Sequence, residues 1–196
     1  MNPLIQPAQG IQPYPSIESH RNRGTSPLNL VYAGLANQSA FTTLSTTVDV
    51  LRAYAVVIGD GVAVDTLYVE ATAIVANAVG RVGIYRNTAD GTIYPSSLVV
   101  ESGEVALATA VVRSASVSAP LSPGLYWLAV LCGTAAPTLR AIGAGAMRPL
   151  CGLSSALAIQ FYYTVANAYA ALPATFPESA TFDVSNAMPV VGLHVA

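Results

Sequence analysis

The chain has 196 residues, 53% of them hydrophobic and only 9% charged, with eight cations, ten acids and a formal net charge of −2. Such a length fits one globular domain, and so apolar a chain is not disordered by charge, since ordinary soluble domains carry about 25% charged residues. All eight cations are dispersed Arg, so no clustered basic face for phosphate exists and nucleic acid is not an expected partner.

Residues 1–30 read as an extended docking arm. Pro3, Pro7, Pro13, Pro15 and Pro27 fall among Gln, Asn, Ser and Gly, and each removes a backbone donor while pushing its predecessor toward extended geometry. The arm also holds the densest charge cluster of the chain, Glu18, His20, Arg21 and Arg23. Pro13, Tyr14, Arg21 and Arg23 are therefore the candidate docking residues, on a neighbouring subunit or a larger scaffold. Met1 to Gly10 lacks a positive n-region and carries prolines where a signal peptide is apolar, so synthesis in the cytoplasm of the producing cell is expected.

Residues 31–196 read as one β-sandwich domain. Short apolar runs alternate with turn signals, and no capped, helix-length amphipathic stretch interrupts them. The predicted strands are 48–58, 65–76, 81–86, 98–101, 104–108, 115–118, 125–132, 138–142, 157–165, 180–184 and 190–195. Their spacing is that of an all-β, antiparallel, jelly-roll-like sandwich. Alternation is clearest at 66–70 and 159–165, where one apolar face and one mixed face are expected. Turns are predicted at Gly59-Asp60-Gly61, Ala89-Asp90-Gly91, Glu101-Ser102-Gly103-Glu104 and Leu121-Ser122-Pro123-Gly124, the last with the Pro-Gly order of a type II turn. The Ala-rich runs 105–112 and 166–171 could form helical turns without changing the class. Ser154 to Leu172 is uncharged, but Ser154, Ser155, Gln160, Thr164 and Asn167 interrupt it and no cation closes it, so no membrane insertion is expected.

Reactive constellations fail one by one, leaving no expected catalytic, cofactor or metal residues. His20 and His194 sit in no metal pattern, and no G-x-S-x-G elbow exists for a serine nucleophile. Gly143-Ala144-Gly145 lacks the Lys of a phosphate loop. Glu101 and Glu104 flank a turn at which a glycosidase pair is conceivable, yet turn carboxylates are ordinarily solvated rather than pH-tuned. Asp60 and Asp65 are too few for calcium. Cys132 and Cys151 are expected as reduced, buried thiols, with one bridge conceivable only in an oxidising medium. Trp127 reads as core; Tyr162, Tyr163 and Tyr169 are the candidate interface aromatics.

Several segments, taken together, resemble a β-sandwich domain of tailed-bacteriophage structural proteins, found in tail fibres and surface appendages. They are Arg81-Val82-Gly83-Ile84-Tyr85-Arg86, Pro95 to Val100, Glu101-Ser102-Gly103-Glu104-Val105, Leu121 to Ala129, Leu172-Pro173-Ala174-Thr175-Phe176-Pro177 and Pro189 to Val195. The resemblance spans roughly Thr42 to the C-terminus and rests on turn and core signatures, which carry fold more than function. It implies a non-enzymatic virion protein, a head decoration or cement protein or a short fibre, attached by its arm to capsid or tail proteins. A charge-poor exterior implies a homo-oligomer, with a trimer favoured, whose faces are covered by copies. The alternative is a tail-fibre adhesin binding a host surface glycan through loops 86–95 or 133–137.

Overall fold

A computed structural model describes residues 41–143, 162–183 and 187–196. These form thirteen strands: β1 (Phe41–Ser45), β2 (Val50–Ile58), β3 (Val62–Glu70), β4 (Val79–Asn87), β5 (Pro95–Glu101), β6 (Val105–Ala106), β7 (Val112–Leu121), β8 (Gly124–Gly133), β9 (Thr138–Gly143), β10 (Tyr162–Ala166), β11 (Thr181–Asp183), β12 (Ala187–Pro189) and β13 (Val191–Val195). The chain is all-β and antiparallel, and the described residues contain no helix, including at 105–112 and 166–171.

One layer is a seven-stranded sheet ordered β11-β10-β2-β8-β4-β5, with β6 paired to β4. The second layer consists of two three-stranded sheets, β1-β9-β12 and β13-β3-β7. They meet where β12 runs into β13: Val190 N donates to the Arg140 carbonyl at 2.9 Å, and Ala71 bridges to Leu139. Glu70 and Arg140 fasten the junction with two charge-assisted bonds of 3.0 and 2.7 Å. The turns at 59–61 and 122–124 carry the chain between layers rather than closing hairpins, and Gly124 takes φ 156° instead of the +80° of a type II turn. The turn at 89–91 does join the paired strands β4 and β5, with Gly91 at φ 87°.

Strand β8 shows how the sequence encodes the packing. It is apolar at every position from Leu125 to Cys132, which suits a strand with no solvent-facing side. Tyr126, Leu128, Val130 and Cys132 enter the core between the layers; Leu125, Trp127, Ala129 and Leu131 enter a second core on the opposite face. Its neighbours β2 and β4 divide in the same way: Tyr54, Val56 and Ile58 point inward with Val82 and Ile84, while Leu51, Ala53, Ala55 and Tyr85 point outward. The second layer contributes Leu67, Val69, Leu139, Met188, Val191 and Leu193 to the first core. Strand β3 keeps the predicted alternation, with Leu67 and Val69 buried between the partly exposed Thr66, Tyr68 and Glu70.

Boundaries shift where pairing partners decide them. The strand predicted at 65–76 runs from Val62 to Glu70, because Val62 and Ala63 pair with Leu121 and Pro120, and 71–78 leaves the ladder apart from the Ala71 bridge. The strand predicted at 115–118 extends to ten residues. Strand β1, which is not among the predicted strands, forms through register with β9, Phe41 opposite Ile142.

Candidate functional site

The outer face of the seven-stranded sheet is closed by a strap, residues 167–180, which connects the neighbouring strands β10 and β11 by a detour across the sheet. Neither the strap nor the core under it was read from the sequence. The strap carries the Leu-Pro-Ala-Thr-Phe-Pro segment, in which Pro173 and Pro177 donate no backbone hydrogen bond.

Each leg of the strap is tied to the sheet. Asn167 N and Tyr169 N donate to the carbonyl and Oδ1 of Asp49, at 2.8 and 2.7 Å. Asp49 offers both acceptors from a left-handed conformation, φ 58°, a region in which Asp is enriched. Leu172 N donates to Glu101 Oε2 at 2.8 Å, and the other oxygen of that carboxylate pairs with Arg81 at 3.2 Å. Tyr85 donates to the Pro173 carbonyl at 2.9 Å and Tyr94 to the Pro177 carbonyl at 2.6 Å. Leu98 N donates to the Ala174 carbonyl and Phe176 N to the Ser96 carbonyl, so the strap also occupies the free edge of β5. Beneath it, Phe176 meets Tyr85 edge-on at 5.2 Å, and Tyr163 contacts Tyr94, Trp127 and Phe182 at 4.6, 5.3 and 4.2 Å. Edge-to-face and offset rings of this kind add about 0.5–1.5 kcal/mol per pair to their area burial.

Two glycines make room for the strap. A Cβ on Gly83 would lie 2.6 Å from Leu172 Cδ1, and one on Gly133 would overlap the Tyr169 ring. Gly83 belongs to the Val82-Gly83-Ile84-Tyr85 run noted in the sequence, so two resemblance segments far apart in the chain meet in one packing contact.

The Glu101–Glu104 turn is tied to the sheet and the strap, with Glu101 partly buried and Glu104 exposed. Ser102 clasps Val82 from both sides, its N–H donating to the Val82 carbonyl at 2.8 Å and its Oγ accepting from Val82 N at 3.0 Å, while Gly103 takes φ 69°. Glu104 Oε2 accepts from the Tyr169 hydroxyl at 3.1 Å. Burial, reinforced by Glu104, pushes that hydroxyl up to about 12, and the Arg81 guanidinium lies 5.8 Å from the Tyr169 ring centroid. Thus both carboxylates of the conceivable glycosidase pair hold the strap.

The candidate interface aromatics divide. Tyr162 and Tyr163, expected at an interface, are 1% and 7% exposed and lie in opposite cores; this corrects the sequence reading. Consecutive strand residues point to opposite faces, and here both faces are covered by the chain itself. Only Tyr169 remains partly exposed. Trp127 is fully buried, with Nε1 donating to Asn87 Oδ1 at 3.0 Å. The arm residues Pro13, Tyr14, Arg21 and Arg23, the boundary at residue 30, Cys151 and the strand start at 157–161 lie outside the described residues. Cys132 is a buried thiol whose pKa burial pushes upward.

His194 Nδ1 and Asp65 Oδ1 meet at 2.6 Å where the β3 ladders with β7 and β13 shift register. The hydrogen bond with His194 holds the Asp65 carboxyl below its ordinary value. Among the described residues, no group of three or more His, Cys, Asp or Glu is placed to hold a metal ion, and no helix is long and apolar enough to cross a membrane. Among the described residues, β7 pairs only with β3, and the exposed large apolar side chains are Ile74, Val111, Val112 and Ile93, the last in the 86–95 loop. No family model matches the chain, and no curated protein matches its sequence.

Proposed function

We propose that this chain is a non-enzymatic structural protein of a tailed-bacteriophage virion, a head decoration or short fibre attached through its N-terminal arm to capsid or tail proteins. The observation that carries the reading is the strap. The segments that resemble phage structural domains are those that build it and its seat: Gly83 and Tyr85, the Glu101–Glu104 turn, and residues 172–177. The result is a body with two cores, one on each face of a single sheet, which suits a particle component that must keep its shape outside the cell. The Pro-rich arm with Arg21 and Arg23 supplies the attachment, and a tethered contact reinforces any contact made by the body.

Imaging of purified particles tests the reading. Density for the sandwich on the head or tail surface is expected, with a chain lacking residues 1–27 failing to occupy it. Absence of the protein from particles, or full occupancy by the truncated chain, overturns the role or the attachment respectively.

A second reading, glycan adhesion, is favoured by Thr134. This β-branched residue sits at φ 61° in the 133–137 loop, a strained conformation of the sort that clusters at binding sites. Binding of the full chain to host polysaccharides on an array, lost in Thr134→Gly, supports it; silence across the array removes it.

A further inference from the structure

Among the described residues, the three non-glycines with left-handed backbone are Asp49 at φ 58°, Asn77 at φ 62° and Thr134 at φ 61°, and all lie at one end of the seven-stranded sheet. Asp49 precedes β2, Thr134 follows β8 and Asn77 leads into β4, three strands adjacent in the order β2-β8-β4. Asp and Asn tolerate this region; a β-branched Thr is an outlier there, and such strain persists only where its surroundings enforce it. A hydrogen bond of 2.7 Å from Ala135 N to the Gly133 carbonyl closes a tight three-residue turn around Thr134. That turn seats Tyr169. A Cβ built on Gly133 would strike Cγ, Cδ1 and Cδ2 of the Tyr169 ring together, so one ring face lies flat on the glycine. The residue is nonetheless partly exposed, and what it shows to solvent is the side turned away from the sheet.

Polar groups frame the ring. Asp49 Oδ1 accepts from the Tyr169 amide at 2.7 Å and Glu104 Oε2 from its hydroxyl at 3.1 Å, so a carboxylate stands at each end of the residue. Asp49, Glu104 and Thr134 are exposed, and the second oxygen of each carboxylate has no protein partner among the described residues. An ionised carboxylate only accepts, so a ligand here must donate. The place of a cation beside the ring is taken by the Arg81 guanidinium, 5.8 Å from the centroid, and an anion would be repelled by the two carboxylates. What fits is a neutral, donor-rich ligand with an apolar face of its own. A pyranose has both: C–H groups that lie against an aromatic ring, and hydroxyls that form charge-assisted bonds with carboxylates.

We propose that this end of the sheet binds one neutral pyranose unit, stacked on the open side of Tyr169 with its hydroxyls donating to Asp49 and Glu104. Thr134 holds the turn that sets Gly133 under the ring, so the strain is part of the seat. The inference rests on the glycan-adhesion reading and gives it a site, where the 133–137 loop meets the strap rather than in the 86–95 loop. A few placed polar groups around one apolar surface are what orients a small ligand.

The test is saturation-transfer NMR of the full-length chain with the methyl glycosides of glucose, galactose, mannose and N-acetylglucosamine. Saturation is expected on the C–H protons of one face of at least one sugar. Its affinity should fall about tenfold in Tyr169→Ala and stay within about threefold in Tyr169→Phe, which keeps the ring face. Glu104→Gln should weaken it about threefold or more. Glu104 is exposed, so that variant removes charge without removing packing, and it decides the matter if a red shift of Trp127 emission shows the strap open in Tyr169→Ala. Binding that survives both Tyr169→Ala and Glu104→Gln overturns this site and leaves adhesion standing. Silence from all four glycosides overturns the proposal, and adhesion with it when host polysaccharides are silent too. Tighter binding of methyl glucosaminide or N-acetylneuraminic acid than of any neutral glycoside overturns the neutral ligand.

Discussion

The Tyr54 hydroxyl is bonded twice to one residue, donating to the Val191 carbonyl at 2.9 Å and accepting from the Val191 amide at 3.0 Å. Val191 is the first residue of β13, just past the point where the chain leaves β9 for β3. A corner between sheets leaves backbone groups off the ladder, and a buried unpaired amide or carbonyl costs about 1–3 kcal/mol. A phenol has both a donor and an acceptor, so one side chain from the opposite layer satisfies both groups.

Tyr54→Phe is therefore expected to destabilise the protein by about 2–4 kcal/mol while keeping the fold, since both backbone groups of Val191 lose their partner without leaving the core. Urea denaturation followed by circular dichroism measures it. A loss under about 0.5 kcal/mol would mean that the corner is satisfied some other way.

Gly83→Ala places a methyl against Leu172 Cδ1 and against the Val100 carbonyl 2.8 Å away, so the strap must lift or the strand must shift. A cost of about 1–3 kcal/mol is expected. The single tryptophan reports it directly: Trp127 is fully buried in the outer core, so its emission should shift to the red and acrylamide quenching should rise. Unchanged emission would show that Leu172 is not what seals this face.

Phe176→Ala empties the centre of the same core, removing the ring that meets Tyr85 at 5.2 Å and Tyr94 at 6.1 Å. The expected cost is about 3–5 kcal/mol, with loss of near-ultraviolet circular dichroism from the aromatic cluster and no loss of far-ultraviolet β signal. Because Leu98 N and Ser96 O also face the strap, amides of β5 should lose protection from hydrogen exchange in this variant.

Acidification is expected to weaken the β3–β13 contact. The Asp65 carboxyl lies below its ordinary value of 3.8 in the folded protein because of its bond with His194. A carboxylate lowered on folding stabilises above its unfolded value, and that stabilisation disappears as pH falls through the folded value. Asp65 is partly exposed, with 44% of its side chain accessible, so the effect is small and screened by salt. Asp65→Asn should melt below the wild type at neutral pH, the gap closing as pH falls below the ordinary carboxylate value of 3.8. A gap unchanged down to pH 2 would refute the linkage.

Much of the body was legible in the sequence because strands in a sandwich announce themselves locally. Apolar runs in β2, β4 and β8, alternation in β3 and Gly- or Pro-marked turns depend on near neighbours, and their order along the chain is enough for an all-β antiparallel class. Tyr162 and Tyr163 were misplaced for a related reason. Adjacent aromatics on a strand imply one outward ring, an inference that holds only where one face meets solvent.

What the sequence determined by itself was therefore the class, the antiparallel layers and the scarcity of charge, all properties of composition and short-range period. The tertiary structure alone decided that the seven-stranded sheet is buried on both sides, that Asp49, Glu101 and Glu104 are anchors, and that β1 is a strand. Each depends on a partner far away in the chain, 65 residues in the case of Glu104 and Tyr169, 71 for Glu101 and Leu172, 120 for Asp49 and Tyr169. A carboxylate in a turn has the same local sequence whether it faces water or an amide; only the path of the strap over the sheet distinguishes the two.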